Sequence, residues 1–415
     1  MADQYDPKYA VPEGSPTGNE AVRIKAIYIH PIKSCGPIEL ERAVLTKSGF
    51  MYDRCFALAA GTVVKTAGKA GLEWKFLSQR TKPCMSQIKT ELWLPHEGSD
   101  PNDPLVQAGG CVVLTFQDPD ADTTAPGTIS RFKTWSISPT KPEASIIIPL
   151  QPTPSQLAEY KLQPEPFTIH ARTAHGLDMG KLPSVAAALP KLKKFLAMPE
   201  NQRLTLFRCT PDTLVRTDKN LAPLEYIGSP AVHGYTDQQP VNINSLSSVH
   251  AVSTLLPPAH QPLNALRFRA NLWITGTPAY EEETWKRYRI LPKSNSTNKR
   301  NAARANVAPK LSVVCRTSRC TIPNVNLEMG TFDADPPAPG RKKGKPQPSA
   351  TLVEYRTVED GNKKALGYLG MHCVPEDRSL REAEEEGVEL YVEVGDEIEV
   401  LERGEHLYGS TGNDY

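Results

Sequence analysis

The stretch Val22-Arg-Ile-Lys-Ala-Ile-Tyr-Ile29, closed by His30-Pro31, decides the fold. It alternates apolar with charged residues and then turns wholly apolar, the pattern of a strand entering a core. Similar short runs follow at 43–45, 55–59, 86–94 and 111–116 with no long helical period between them, so the first half is expected to form a barrel-like β domain. Residues 118–142 read as a long surface loop and 150–166 as a second Pro-rich connection. A helix over 184–196 places Leu192, Phe195 and Leu196 on one face and joins the halves. The β pattern resumes at Arg203, with strands expected at 266–274 and 311–315 and short helices at 248–256 and 280–288. Near the end Val388, Leu390, Val392 and Val394 alternate with Glu389, Tyr391 and Glu393. Gly395-Asp396 then supplies a turn and Ile398 and Val400 return, which predicts a hairpin. Residues 379–387 read as a short acidic helix or a solvated loop, and 292–308 and 331–349 as mobile inserts.

Composition bounds the function. The chain has 415 residues, 39% of them hydrophobic, enough to bury the cores of two or three domains. Its 48 basic and 47 acidic residues leave a formal charge of +1, which argues against a nucleic-acid or membrane-surface protein and makes any basic pocket local. The 38 prolines favour short strands and long connections. None of the eight cysteines forms a CxxC pair, so a zinc ribbon or thioredoxin-like motif is not indicated and reduced thiols are expected. Residues 1–20 carry no apolar run and read as a disordered tail, with no signal peptide or membrane span, so a cytoplasmic address is expected.

Three segments concentrate chemistry. In His30-Pro-Ile-Lys33-Ser34-Cys35-Gly36 a strand ends in an ammonium, a hydroxyl and a glycine, which is either an anion cradle or an ordinary turn. Arg54, in Asp53-Arg54, either forks onto a phosphate or pairs with Asp53. In the run from Leu266 to Ile274 a strand would put Arg267, Arg269 and Asn271 on one side, as a ligand-binding face or an exposed polar one. In Ser318-Arg319-Cys320 a thiol is flanked by Arg319 and lies near Arg316. Their charges would favour the thiolate needed for metal ligation or nucleophilic attack; the alternative is a small buried side chain.

The ordered set Tyr28-Ile-His-Pro-Ile-Lys-Ser-Cys35, Asp53-Arg54, Gln79-Arg80 with Pro83, Phe268-Arg-Ala-Asn271, Glu282-Glu-Thr-Trp285, Ser318-Arg-Cys320 and Val394-Gly-Asp396 resembles the MOSC family (molybdenum cofactor sulfurase C-terminal) with its N-terminal β-barrel partner. The resemblance spans Val22 to Leu401. It implies a mainly β (α+β) fold with two barrel-like domains: a tail at 1–20, the N-terminal barrel at 21–183, a connecting helix at 184–202, the MOSC domain at 203–402 with its two inserts, and a tail at 403–415. Within the family the chain is most similar to the mitochondrial amidoxime reducing component and its soluble relatives.

That similarity implies a molybdenum cofactor, a molybdenum ion on a pterin dithiolene, with Cys320 as metal ligand. Lys33, Ser34 and Arg54 match positions holding the pterin's phosphate; Arg269, Asn271, Ser318 and Arg319 match pterin contacts; Asp237 matches an acidic residue beside the metal. The implied reaction is reduction of N-hydroxylated compounds such as amidoximes, hydroxylamines or N-oxides. The chain shows no GxGxxG between strand and helix, no haem histidine pair and no CxxC cluster motif. Electrons are therefore expected from a b-type cytochrome and its flavin reductase, or a ferredoxin-like donor. The alternative is a cofactor carrier or sulfur-transfer module. Phe268-Arg-Ala-Asn271 departs from the family's Phe-Arg-Pro-Asn, and Asn326 replaces an acidic residue, which bears on substrate choice more than on cofactor binding.

Overall fold

A computed structural model of the chain describes residues 1–16, 21–66, 69–121, 142–218, 221–293, 307–359 and 366–406. The expected surface loop at 118–142 and insert at 292–308 fall largely outside these residues, as does most of the tail at 403–415.

Two β closures stand side by side. Strands Phe56–Thr66, Lys69–Phe76, Pro164–Ile169, Arg172–Asp178 and Arg203–Arg208 form a closed barrel. Ala57 and Ala59 turn into an aromatic cluster with Phe76, Phe167 and Phe207, while Phe56, Leu58 and Ala60 pack into a second core. The helix Pro183–Phe195 lies on that second core, together with a three-stranded sheet of Lys89–Trp93, Cys111–Gln117 and Glu143–Pro149.

The other closure runs Leu272–Thr275, Val241–Ser245, Gly367–Pro375, Lys310–Arg319, Trp285–Leu291, Glu397–Arg403 and Arg23–Ile29. The last of these also pairs with Leu272–Thr275, which completes the ring. The strand Arg23–Ile29 is apolar because both its faces are buried. Ile27 and Ile29 point into one core, and Ala26 and Tyr28 into another beneath the helix Leu246–Leu255. A register shift between Ile24 and Ala26 puts Ile24 on the same side as Ile27, three residues away.

Several expectations are corrected. The contiguous division at 21–183 and 203–402 does not follow the sheets: Arg23–Ile29 belongs to the second ring, and Arg203–Arg208 to the first barrel. Residues 1–16, expected as a disordered tail, are mostly exposed but are tied to the fold by specific contacts. The Met1 ammonium lies 2.8 Å from Glu39, and buried Gln4 accepts from the Ala265 amide at 2.7 Å. Instead of a strand over 266–274, Ala265–Phe268 is a 3-10 turn and only Leu272–Thr275 is extended. The Asn264 side chain takes the Leu266 amide at 2.9 Å, a local bond that competes with a ladder. The helix expected at 280–288 is a 3-10 turn, Glu281–Thr284, followed by the strand Trp285–Leu291. Register shifts beside Arg287 bring Trp285 and Tyr288 into one core at a spacing that imitates a helix.

The terminal hairpin is also corrected. Tyr391–Glu393 pairs with Arg42–Thr46, while Glu397–Arg403 pairs with Trp285–Leu291. The turn itself stands: buried Asp396 accepts from the Glu393 amide at 2.8 Å, and Gly395 has φ +90°. The insert at 331–349 is ordered. Asp333 meets Arg267 at 2.6 Å, Ala334 bridges to Pro346, and Gln347 donates to Asp335 at 3.1 Å. The acidic segment is the helix Asp377–Glu385, and His406, placed in the tail, is buried with Nε2 2.7 Å from the Trp285 carbonyl.

Candidate functional site

One pocket opens at the seam of the two closures, and all nine residues singled out from sequence line it: Lys33, Ser34, Arg54, Asp237, Arg269, Asn271, Ser318, Arg319 and Cys320. Among the described residues eight non-glycines have positive φ, and four of them are here: Ser34 (+70°), Arg54 (+48°), His170 (+53°) and Arg269 (+55°). Left-handed backbone disfavours branched and long side chains, so its concentration in one pocket makes this the candidate site.

The first wall is internally bonded. Buried Asp53 accepts from the His30 amide at 2.8 Å, from Asn271 Nδ2 at 3.0 Å and from Arg54 Nη1. Arg54 Nη2 donates to the Arg269 carbonyl at 2.8 Å, and Arg269 Nη1 to the Cys35 carbonyl at 2.8 Å. Burial alone would raise the Asp53 pKa, but the Arg54 charge and the bonds from His30 pull it well below the usual carboxylate range. Arg54 thus pairs with Asp53 and still lines the pocket.

Beside it lies an ionic cluster. Lys33 pairs with Asp237, whose Oδ1 also lies 3.2 Å from His170 Nε2, while His170 Nδ1 lies 3.0 Å from Arg80 Nη1. Burial pushes the Lys33 ammonium down to about 8 against the opposing pull of Asp237. The Asp237 carboxyl, raised by burial, is brought well below its ordinary value by Lys33 and His170. The residue matched to the phosphate end and the one matched to the metal end therefore meet in one ion pair.

The second wall is formed by the end of Lys310–Arg319 and the turn after it. Cys320 is partly exposed, whereas Cys35, Cys315 and Cys373 are buried, and burial pushes the Cys35 and Cys373 thiols up to about 12. Arg319 ties this strand to its surroundings, donating from Nε to Leu369 at 2.7 Å and from Nη1 to Phe268 at 2.9 Å. Arg316 bonds to Glu283 at 2.8 Å and the His406 carbonyl at 3.0 Å, so its expected role beside the Cys320 thiol is not what the structure gives it. Arg269 Nη2, Ser318 Oγ and both His372 ring nitrogens are buried with no hydrogen-bond partner among the described residues. Burial and then the Arg319 charge lower the His372 pKa to about 3, so its ring is neutral near pH 7.

Sequence reasoning missed His170 and His372, and noted Arg80 only within a motif. No local pattern distinguishes them; His170 stands at a hairpin tip and His372 mid-strand. Among the described residues no group of three or more His, Cys, Asp and Glu side chains is gathered to hold a metal, so a metal here would bring most of its own ligands.

These features define a class: a double β closure with a donor-rich anion pocket and an accessible thiol at the seam. The chain belongs to the MOSC family, matching the MOSC N-terminal beta barrel domain over residues 21–132 and the MOSC domain over 230–399. MOSC domains are associated with the molybdenum cofactor. No curated protein matches the chain. No helix among the described residues is long and apolar enough to cross a membrane.

Proposed function

We propose that this pocket binds the molybdenum cofactor, with Cys320 as the protein's metal ligand, and that the protein reduces N-hydroxylated compounds using electrons from a separate redox protein. The observation that carries the reading is the set of buried polar atoms without partners among the described residues: Arg269 Nη2, Ser318 Oγ and the His372 ring. Buried donors are almost always satisfied, and a phosphorylated pterin supplies the acceptors they lack. Lys33, Ser34 and Arg54 would hold the phosphate, and Arg269, Asn271, Ser318 and Arg319 the pterin. When bound, the cofactor supplies the redox centre at which an N–O bond is reduced.

The chain supplies placement and proton management. Converting R–NH–OH to R–NH2 and water takes two electrons and two protons. Asp237 is about a third exposed, and its bonds to Lys33 and His170 both fall on Oδ1. Oδ2 remains an acceptor that can orient water or a substrate N–H or O–H.

The test begins with metal and pterin analysis of protein from a host that makes the cofactor. Amidoxime reduction is then measured with NADH alone, with NADH plus a b-type cytochrome and its flavin reductase, with a ferredoxin-like donor, and with dithionite. Activity with a supplied donor but not with NADH alone supports the reading. Full metal content with no activity from any donor favours a cofactor carrier or sulfur-transfer role.

A further inference from the structure

The tip of the hairpin that joins Pro164–Ile169 to Arg172–Asp178 belongs to the first barrel yet lines the pocket. Ile169 pairs with Arg172, which leaves His170 and Ala171 as a two-residue loop. The first position of such a loop favours glycine when φ is positive, and His170 sits there at +53°. The hairpin grips the segment that carries Asp237 at several points. Arg172 Nη2 donates to the carbonyls of Gly234 at 3.3 Å and Thr236 at 3.0 Å, and Tyr235 donates back to His175 at 3.0 Å.

The ring's tautomer follows from its neighbours. Arg80 has donors only, and its Nη1 lies nearer Nδ1 (3.0 Å) than Nε2 (3.4 Å), so Nδ1 accepts. Nε2 faces the Asp237 carboxylate at 3.2 Å and therefore carries the proton. The imidazole's further neighbours include the Phe76 ring, edge-on at 5.7 Å, and Lys33 bonds to the same Asp237 Oδ1.

We propose that His170 is a positioning residue: fixed by Arg80 as an Nε2–H donor, it holds Asp237 Oδ1 from the first barrel and leaves Oδ2 to the substrate. This rests on the role proposed above for Asp237. It makes the first barrel part of the reacting site rather than a support for the second.

Two measurements test it. Nitrogen NMR of histidine-labelled, metal-free protein should show the neutral His170 ring protonated at Nε2 and unprotonated at Nδ1. A neutral ring protonated at Nδ1 would overturn the assignment, and this readout does not depend on reductase activity. In the loaded enzyme, His170→Gly relieves the backbone and should melt no lower than the parent, yet lower kcat about tenfold or more through a disordered Asp237. His170→Gln keeps an N–H donor and should recover most of that loss. Full activity in His170→Gly refutes the positioning role. Inactivity of the parent with every donor refutes the reductase reading alone.

Discussion

The two walls of the pocket differ in how far the protein satisfies its own polar groups. Around Asp53, Arg54 and Asn271, carboxylate, guanidinium and amide are bonded to one another and to backbone. Around Ser318, Arg269 Nη2 and His372, buried polar atoms have no protein partner among the described residues. Apart from His30 Nδ1, which has no hydrogen-bond partner among the described residues, the first wall resembles the inside of a stable protein, and the second leaves more of its polar atoms open. The difference separates polar groups that the fold itself satisfies from groups left open toward the pocket, and substitutions of the two kinds should fail in different ways.

The largest effect is expected from Asp53→Ala. Removing one partner of a buried charge network strands the other, here Arg54 together with the His30 amide and Asn271, and such losses run to about 3–5 kcal/mol. Urea unfolding of the metal-free protein should show a loss of this order. A change under about 1 kcal/mol would mean that this wall is not the framework it is read to be.

Cys320→Ala should do the reverse. The side chain is partly exposed and belongs to none of the hydrophobic cores, so stability should hardly move, while molybdenum content after gel filtration should collapse. Retention of full metal in this variant removes the ligand assignment. Arg269, bonded through Nη1 to the first wall and open at Nη2, joins the two, and Arg269→Ala should weaken pterin retention by roughly ten- to a hundredfold, the loss of a charge-assisted bond of about 1.5–3 kcal/mol.

Why the sequence revealed some of these residues more readily than others has a physical basis. Lys33, Arg54 and Cys320 sit in short runs whose residue types advertise anion or metal chemistry. Arg269 and Asn271 were identified through the wrong local structure: a strand would have presented them together, and a left-handed turn does so instead. His170 and His372 carry no local signal because their meaning lies in contacts across the barrels. The same limit governed the fold. Arg23–Ile29 was recognisable as a buried strand, but its closing partner, Leu272–Thr275, lies some 250 residues away. Of the alternation at 388–394 only Tyr391–Glu393 is a strand, and it forms no hairpin with the chain after the turn, because its register partner is Arg42–Thr46. Side-chain periodicity reports burial, and it does not report which distant strand supplies the hydrogen bonds.

The pH dependence of stability sharpens the contrast. His372 and His233 are both depressed to about 3 in the folded protein, each by burial first, from an ordinary value of 6.5. The unfolded chain therefore gains protons below about pH 6.5 that the native protein refuses. Stability should be fully present above that value and fall as the solution is acidified, by about 1.4 kcal/mol per pH unit for each ring until about pH 3. Unfolding at pH 7 and at pH 5.5 measures the slope, and His372→Gln should remove one ring's share. An unchanged slope would show that His372 is not held neutral.

The smallest effect, and the one most specific to the second wall, is expected from Ser318→Ala. Ser318 is 3% exposed and its hydroxyl has no partner among the described residues, so the metal-free protein bears the desolvation of a group that gains nothing in return. Leaving a buried hydroxyl unpaired costs about 1–3 kcal/mol, and alanine removes that cost while giving up little packing. The metal-free variant should therefore be as stable as the parent or up to about 1 kcal/mol more stable. Once the pocket is filled the sign should reverse, because the hydroxyl then has an acceptor, and pterin dissociation should be several-fold faster. Paired measurement, melting without cofactor and pterin loss on dilution with it, distinguishes the two states. A variant destabilised without cofactor would show that Ser318 serves the barrel, and equal dissociation rates would show that the ligand does not reach this hydroxyl.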